Sequence, residues 1–424
     1  MSETPGLKTA QKTDEKRAPT PVQRMLGNLA SQPVLSYYLI LVCTFFLVII
    51  GTIVVFSAST IAVLQKDASG SIVKAMSRDV AIIAVGLVGM LIASRFPPRF
   101  YERLAAAVFL SSLVMQLGIF TPLAMDKYGN NNWIYVPIIG QAQPSEVIKL
   151  GLALYLGAAF ASGRVKIDNA KSLLWGVGVP TLLALGLIMA GRDLGTALVV
   201  AALVVGALFL AGIRLKWLAS IIVAGLGAAA FFVMISPNRR TRILGFLSSK
   251  GSAPSSAEYQ SKHGLWGLGT GGISGVGPGA SREKWSYLPE AQTDFIFAIL
   301  GEEFGLLGTC VVLLLYAGLA IGMFRVMRRQ QDVFARVAVG AIASWIFVQT
   351  IINIGAIIGL VPIIGVPLPL LSSGGSAMIS TLAAIGVVLA ASRWEHGAQQ
   401  AFKAKSSTVK RSLAVLTASR RKHG

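Results

Sequence analysis

The stretch LGTALVVAALVVGALFLA, Leu194 to Ala211, carries no charged side chain over eighteen residues, close to the ~20 that an α-helix needs to cross about 30 Å of hydrocarbon. Backbone polar groups in lipid must pair within their own segment, so such a run reads as a membrane-spanning helix. Leu173 to Ala190 precedes it and Trp217 to Ile235 follows it, both equally apolar. The same test extended outward adds Tyr37 to Ser57, Val80 to Ala93, Leu104 to Thr121 and Val147 to Ala161 on one side. On the other it adds Phe295 to Phe324, Val333 to Leu360 and Ser376 to Ala391. The fold expected is an all-α polytopic membrane protein of about ten transmembrane helices, with a large extracytoplasmic loop, residues 236–293, between helices seven and eight.

Composition agrees. Of the 424 residues, 54% are hydrophobic and 13% charged, whereas a water-soluble surface usually needs about a quarter charged residues. The net charge of +20 is spread in short Lys and Arg clusters between apolar runs, which speaks for membrane flanks and against a nucleic-acid surface. Cys43 and Cys310 both lie inside apolar stretches, where a thiol behaves as a small hydrophobe, and no disulfide framework is implied.

Arg95, Arg99 and Arg103, then Arg164, Lys166 and Lys171, then Arg214 and Lys216, then Arg325, Arg328 and Arg329 all fall on one side of the membrane, with both chain ends. Basic residues in short loops mark the cytoplasmic side. Residues 1–35 therefore read as a disordered cytoplasmic basic tail, 394–424 as a cytoplasmic basic tail that is either solvated, the reading preferred, or touches anionic lipid headgroups, and 36–393 as the membrane domain. A connection as long as 236–293 is either functional or disordered. Its first part, Ser248 to Ser256, reads as mobile, and its second part, with Trp266, Trp285 and Tyr287, as lying partly on the membrane.

Ionisable residues at membrane depth are costly and default to functional hypotheses, with paired structural roles as the alternative. Glu146 and Lys149, after Gln143-Pro144-Ser145, share a helix face; they either pair with each other or leave Lys149 to hold an anionic group. Asp193, in Gly191-Arg192-Asp193-Leu194-Gly195-Thr196, either caps the next helix or partners Lys149. Gly267, Gly269, Gly271, Gly272, Gly275, Gly277 and Gly279 match no nucleotide fingerprint; their backbone amides either close on phosphate oxygens or, the reading preferred, form a lid. Thr293 is a candidate N-cap that would place Asp294 in the first turn of helix eight. There a carboxylate is either a helix-dipole partner or a general base, with Glu302 and Glu303 two turns deeper. Asn353, Gly359, Pro362, Gly365, Pro367, Pro369 and Ser372-Ser373-Gly374-Gly375-Ser376 break the helix pattern; irregular backbone at this depth survives only when buried in protein or lining a wet vestibule.

These blocks, together with Val55-Phe56-Ser57-Ala58-Ser59 and the tract Tyr287 to Phe297, resemble the SEDS (FtsW/RodA/SpoVE) family in order across residues 37 to 393. The resemblance implies a peptidoglycan glycosyltransferase that polymerises lipid II, the undecaprenyl-pyrophosphate-linked disaccharide-pentapeptide, beside a class B penicillin-binding protein and other divisome proteins. Ser281 to Glu290 is closer to the cell-division branch, which implies work at the septum in a bacterial cytoplasmic membrane. The mechanism expected makes Asp294 the general base on the acceptor hydroxyl. Lys149, with Arg242 or Lys284, would stabilise the leaving pyrophosphate, and Glu146, Asp193 and Ser373 would complete the substrate site. A divalent cation, Mg2+ or Mn2+, is compatible with this chemistry, but no ligand cluster is visible: His263, His396 and His423 are scattered. Departures from the family pattern are Asn130-Asn131-Asn132 where arginines are common, Gln292 for a histidine, Arg192 for a proline and Gly264 for a serine. The rival readings are a lipid II flippase, since intramembrane charge and broken helices also mark transport paths, and a division scaffold.

Overall fold

A computed structural model of the chain describes residues 34–66, 72–127, 130–136, 140–237, 239–241, 256–395 and 397–402, with Gln32 and Ile243. The ten apolar runs form ten membrane-length helices among the described residues. They are α1 Leu35–Lys66, α2 Ile72–Ala93, α3 Pro98–Leu117, α4 Pro144–Ala161, α5 Ala170–Ala190, α6 Leu194–Ala211 and α7 Leu215–Ile235, then α9 Ile296–Arg329, α10 Val333–Ile357 and α11 Gly375–Arg393. One further helix, α8 Ser256–Gly271, lies in the connection between α7 and α9. Most helices extend beyond their hydropathic cores, α1 past Ser57 to Lys66. α10 instead stops short of Leu360, because Gly359 turns left-handed at φ 74° and Leu360 N closes back on Gly355 O at 2.8 Å.

Helices α4, α10 and α11 form the centre: 67%, 67% and 72% of their apolar windows are buried, against 6% for α7, which stands at the rim. Helix α5 contains a π-helical turn, Leu174–Gly178, immediately before Pro180, which has no N–H to give back to that turn. The connection between α3 and α4 folds into a small antiparallel sheet, β1 Ala124–Lys127, β2 Asn130–Val136 and β3 Gly140–Ala142, in that spatial order.

Helix α9 is broken at Gly305, whose φ of 63° and ψ of −161° suit only glycine. The break frees backbone groups that the glycine-rich connection takes up. Val276 N donates to Glu302 O at 3.0 Å and Gly277 N to Glu303 O at 3.1 Å, while Leu306 N and Leu307 N donate to Gly272 O and Ile273 O at 2.9 and 3.2 Å. A Cβ on Gly305 would lie 2.4 Å from Gly275 N. The glycine tract is therefore not the lid expected of it but a wedge stitched into a broken helix, where its lack of side chains permits backbone-to-backbone contact.

At the face carrying the chain ends, Ser36 Oγ donates to Glu395 Oε2 at 3.4 Å and Arg329 Nη1 stands 4.0 Å from the same oxygen. Arg325 and Arg329 also donate to Gln32 O. Residues beyond α11 return to α1: Phe402 meets the Tyr37 ring edge-on at 5.2 Å, and the Arg393 guanidinium lies 5.1 Å over Phe402. The segment after Arg393 thus begins as packed structure; the remainder of both tails, and Leu244 to Ser255 in the long connection, fall outside the described residues.

Burial pushes the Glu395 carboxyl up to about 7, with Ser36, Arg329 and Arg325 pulling the other way. The folded chain then holds this proton more tightly than the unfolded chain. Stability should fall as pH rises from the ordinary carboxylate range to about 7 and level off above it. Melting temperatures in detergent across that window check this: Glu395→Gln should flatten the slope, and parallel curves for variant and wild type would contradict it.

Candidate active site

Glu290 adopts φ 55°, and this left-handed residue turns the chain so that three successive amides, Thr293 N, Asp294 N and Phe295 N, converge on its carbonyl at 3.1, 3.1 and 3.3 Å. The Thr293 hydroxyl donates to Glu290 Oε2 at 2.7 Å. Thr293 is therefore not the expected N-cap; α9 starts at Ile296 with Phe295 in the capping position. Asp294 lies in the turn just before the helix. It is half-buried beside Asn353, Ile364, Gly365 and Val366. Gly365, at φ 70°, brings bare backbone under the carboxylate, so that a Cβ there would sit 3.5 Å from Asp294 Oδ2.

Residues 358–374, between α10 and α11, hold this turn. Asn353 Nδ2 donates to both Asp294 O and Val366 O at 2.8 Å. Ser372 Oγ donates to Thr293 O at 2.5 Å and accepts Leu368 N at 2.7 Å. Ser373 N donates to Gln292 O at 2.9 Å, so Ser373 joins the frame by its backbone, and its side chain lines a separate cleft with Thr52 and Asp79. The Tyr316 hydroxyl, on α9, donates to Pro369 O from below.

A second cluster sits behind this segment. Lys149 Nζ pairs with Glu146 Oε1 at 2.7 Å, donates to Gln349 Oε1 at 2.9 Å and lies 4.6 Å over the Trp345 ring. Gln349 Oε1 also accepts Trp345 Nε1 at 2.9 Å, and its Nε2 donates to Pro367 O at 2.7 Å. Both Lys149 and Glu146 are 1% exposed. The alternative in which Lys149 keeps its donors for a pyrophosphate does not match this arrangement: its hydrogen bonds are taken up inside the protein, and Glu146 spends its charge on it.

Asp193 caps α6 through Thr196 N at 2.9 Å and also accepts Thr196 Oγ1 at 2.6 Å, Asn132 Nδ2 at 2.6 Å and Gln143 Nε2 at 2.8 Å. It thereby ties β2, α4 and α6 together; its direct partners do not include Lys149. Arg192 before it adopts φ 61°, a conformation closed to the proline that the family resemblance puts there, and its carbonyl accepts Arg239 Nη2 at 2.7 Å.

Lys284, expected at the pyrophosphate, is also committed elsewhere. It is buried against Glu303 Oε1 at 3.1 Å and donates to Ser57 Oγ at 2.7 Å and Gly279 O at 2.6 Å. Glu302 accepts Ser281 Oγ at 2.5 Å and Arg282 N at 2.9 Å. Arg242 lies outside the described residues. Among the described residues no group of three or more His, Cys, Asp or Glu could hold a metal ion, and His263 instead pairs with Glu283 at 2.6 Å.

Gln349, Trp345 and Tyr316 are not singled out by the sequence, and Asn132 stands out there only as a departure from the family pattern. For Asn132 the available signal is the period-two burial of β2, with Asn132 and Ile134 inward and Asn131 and Tyr135 outward. For the other three there is only a lone polar group in an apolar run.

The Asp193 knot carries a consequence for stability. Asp193→Ala leaves three buried N–H donors unpaired, a penalty of roughly 1–3 kcal/mol for each such group. Asp193→Asn should be nearly as damaging, since its amide would meet the amides of Asn132 and Gln143 with donor against donor. Both should lower the melting temperature in detergent by several degrees; a neutral Asp193→Asn would contradict the hub.

Residues 37–397 match the FtsW/RodA/SpoVE family profile described as "Cell cycle protein". The chain is 32% identical to the "Probable peptidoglycan glycosyltransferase FtsW" of Mycobacterium tuberculosis, over 89% of this chain and 72% of that protein. It is 34% identical to the "Peptidoglycan glycosyltransferase MrdB" of Escherichia coli K12, over 81% and 91%. It is 35% identical to the "Stage V sporulation protein E" of Bacillus subtilis, over 84% and 97%. Among solved structures, a chain from a peptidoglycan synthase complex superposes with a TM-score of 0.61 at 27% identity, covering 82% of this chain and 96% of its own. The rod shape determining protein RodA of Thermus thermophilus, at 24% identity and a TM-score of 0.60 over 84% and 95%, shares the fold. A profile match over nearly the whole membrane domain, with relatives of this identity and coverage, makes the chain a member of the FtsW/RodA/SpoVE family.

Proposed function

We propose that this protein is a glycosyltransferase that polymerises lipid II into peptidoglycan strands at the outer face of a bacterial cytoplasmic membrane. The observation that carries the proposal is the placement of Asp294. Its carboxylate stands at the end of the bundle opposite the chain ends, above bare glycine backbone, in a turn clasped by Asn353 and Ser372. The relatives' names support the reaction class. The basic loops on the face of the chain ends support the orientation, with both termini cytoplasmic.

In this reading Asp294 takes the proton from the acceptor sugar's 4-hydroxyl as its oxygen attacks the donor's anomeric carbon. The bond from that carbon to the pyrophosphate oxygen breaks with inversion, and undecaprenyl pyrophosphate leaves with the electron pair. The activated sugar-pyrophosphate bond drives the step, so no nucleotide site is required. Lys149 and Lys284 hold the frame rather than the leaving group, because their donors are committed to protein.

The partner in this proposal is a crosslinking class B penicillin-binding protein, supported by the relative that comes from a complex coordinating polymerisation and crosslinking. Work at the division septum is supported by the tract Ser281 to Glu290.

Purified protein, with and without its transpeptidase partner, should convert labelled lipid II into polymer resolved by size. Asp294→Asn should reduce the rate by about 10²–10⁴-fold, the usual contribution of a general base, at an unchanged melting temperature. Polymer formation at the wild-type rate by this variant would exclude Asp294 as the base. Transbilayer movement of lipid II in sealed vesicles without polymer would instead favour a transporter.

A further inference from the structure

At the face carrying the chain ends, a cavity of about 680 Å³ opens between the start of α3, the end of α4 and the start of α5. This is within the usual range of about 300–1,000 Å³ for ligand sites. Its floor is apolar, built from Ala106, Ala159, Val165 and the ring of Tyr155, which packs on Phe109 at 5.0 Å. Its back wall is the π-helical turn of α5, at Trp175 and Gly176. Turns of this kind recur at functional sites, and here the turn presses Gly176 so close to Val165 that a Cβ would meet Val165 Cγ2 at 2.3 Å.

Three charged side chains line the rim: Arg164, Lys171 and Glu102. None of them, nor the Tyr155 hydroxyl, has a partner among the described residues. The backbone that presents the two cations is fixed. Ser172 Oγ donates to Arg164 O at 2.9 Å and accepts Lys166 N at 3.0 Å, and the Asn169 side chain accepts Lys171 N at 3.0 Å and Ser172 N at 3.2 Å. Trp175, 64% exposed, continues the apolar surface outward from the cavity.

Unpaired cations on this face alone would follow from membrane topology. They would need no cavity, and a purely anionic headgroup would meet Glu102 as repulsion. Two cations and one carboxylate around a half-apolar hollow complement a ligand that carries a phosphate, a primary ammonium and a hydrocarbon chain. We infer that this cavity is a binding site for a glycerophospholipid with a phosphoethanolamine headgroup. Arg164 and Lys171 take the phosphate, Glu102 takes the ammonium, and one acyl chain runs out along Trp175. The site is distinct from Asp294 and does not depend on the reaction proposed there.

Native mass spectrometry tests this on the full chain released from nanodiscs of equal parts dioleoyl phosphatidylethanolamine, phosphatidylglycerol and phosphatidylcholine. The wild type should retain phosphatidylethanolamine at least ~5-fold over the other two, as charge-assisted hydrogen bonds to both ends of the headgroup allow. Glu102→Gln should transfer the preference to phosphatidylglycerol, Arg164→Ala with Lys171→Ala should abolish both, and Ala106→Trp should lose retention by filling the hollow while leaving every charge in place. Unchanged melting temperatures show that the variants fold. Equal retention of the three lipids by the wild type, or retention indifferent to all the variants, would overturn the inference. Soluble glycerophosphoethanolamine binding the detergent-purified protein as tightly as the lipid does would overturn its assignment to a lipid.

Discussion

Backbone that leaves the helix at membrane depth must find partners for its carbonyls within the protein, and residues 358–374 meet this demand through two amides of α10. Gln349 and Asn353, one helical turn apart, donate to the adjacent carbonyls of Pro367 and Val366. Each amide then reaches further. Gln349 accepts Lys149 and Trp345 through its oxygen, and Asn353 donates its second hydrogen bond to the Asp294 carbonyl. One irregular segment thus joins a buried ion pair on α4 to the carboxylate before α9, and everything assigned to the site is positioned through it.

The Glu146–Lys149 pair takes on meaning in that light. A buried ion pair is weak evidence for stability, because removing two charges from water offsets most of their attraction. Its value here is geometric: with Lys149 pinned between Glu146 and the Trp345 face, Gln349 has one available orientation, and its Nε2 faces Pro367. Ser376 and Ser380 extend the same frame to α11, the first receiving Gln143 N at 3.0 Å and the second donating to Glu146 O at 2.6 Å. The Gly305 break in α9 serves a parallel purpose on the other flank, where the glycine-rich wedge brings Lys284 onto Glu303.

How far the sequence can be read follows from what kind of force fixes each part. Membrane helices are legible because hydropathy over twenty residues is a long, redundant signal; all ten runs are helices, though Gly359 ends α10 early and Gly305 breaks α9 internally. Asp294, Lys149, Asp193 and Asn353 are legible because a polar residue at membrane depth stands out. Their partners are not, since which donor meets which acceptor is set by tertiary packing. Lys149 reads in the sequence either as a partner of Glu146 or as an anion holder, and the structure shows the pair; Lys284, read as a contact for the pyrophosphate, is an internal tie to Glu303. The small sheet is hidden by its polar, Asn-rich strand, and with it the role of Asn132. That residue stands where the family resemblance expects arginine, and it supplies Asp193 with a neutral donor in place of a cation. Together with Arg192 at positive φ, it gives this chain its own version of the turn before α6.

Asn353 places Asp294 through its hydrogen bond to the Asp294 carbonyl, and steady-state polymerisation by Asn353→Ala tests that role. Loss of two hydrogen bonds leaves the Asp294 and Val366 carbonyls without that donor. kcat should fall by at least ~10-fold with KM for lipid II little changed, because a misplaced base costs rate rather than binding. Wild-type kcat in a folded Asn353→Ala protein would contradict it.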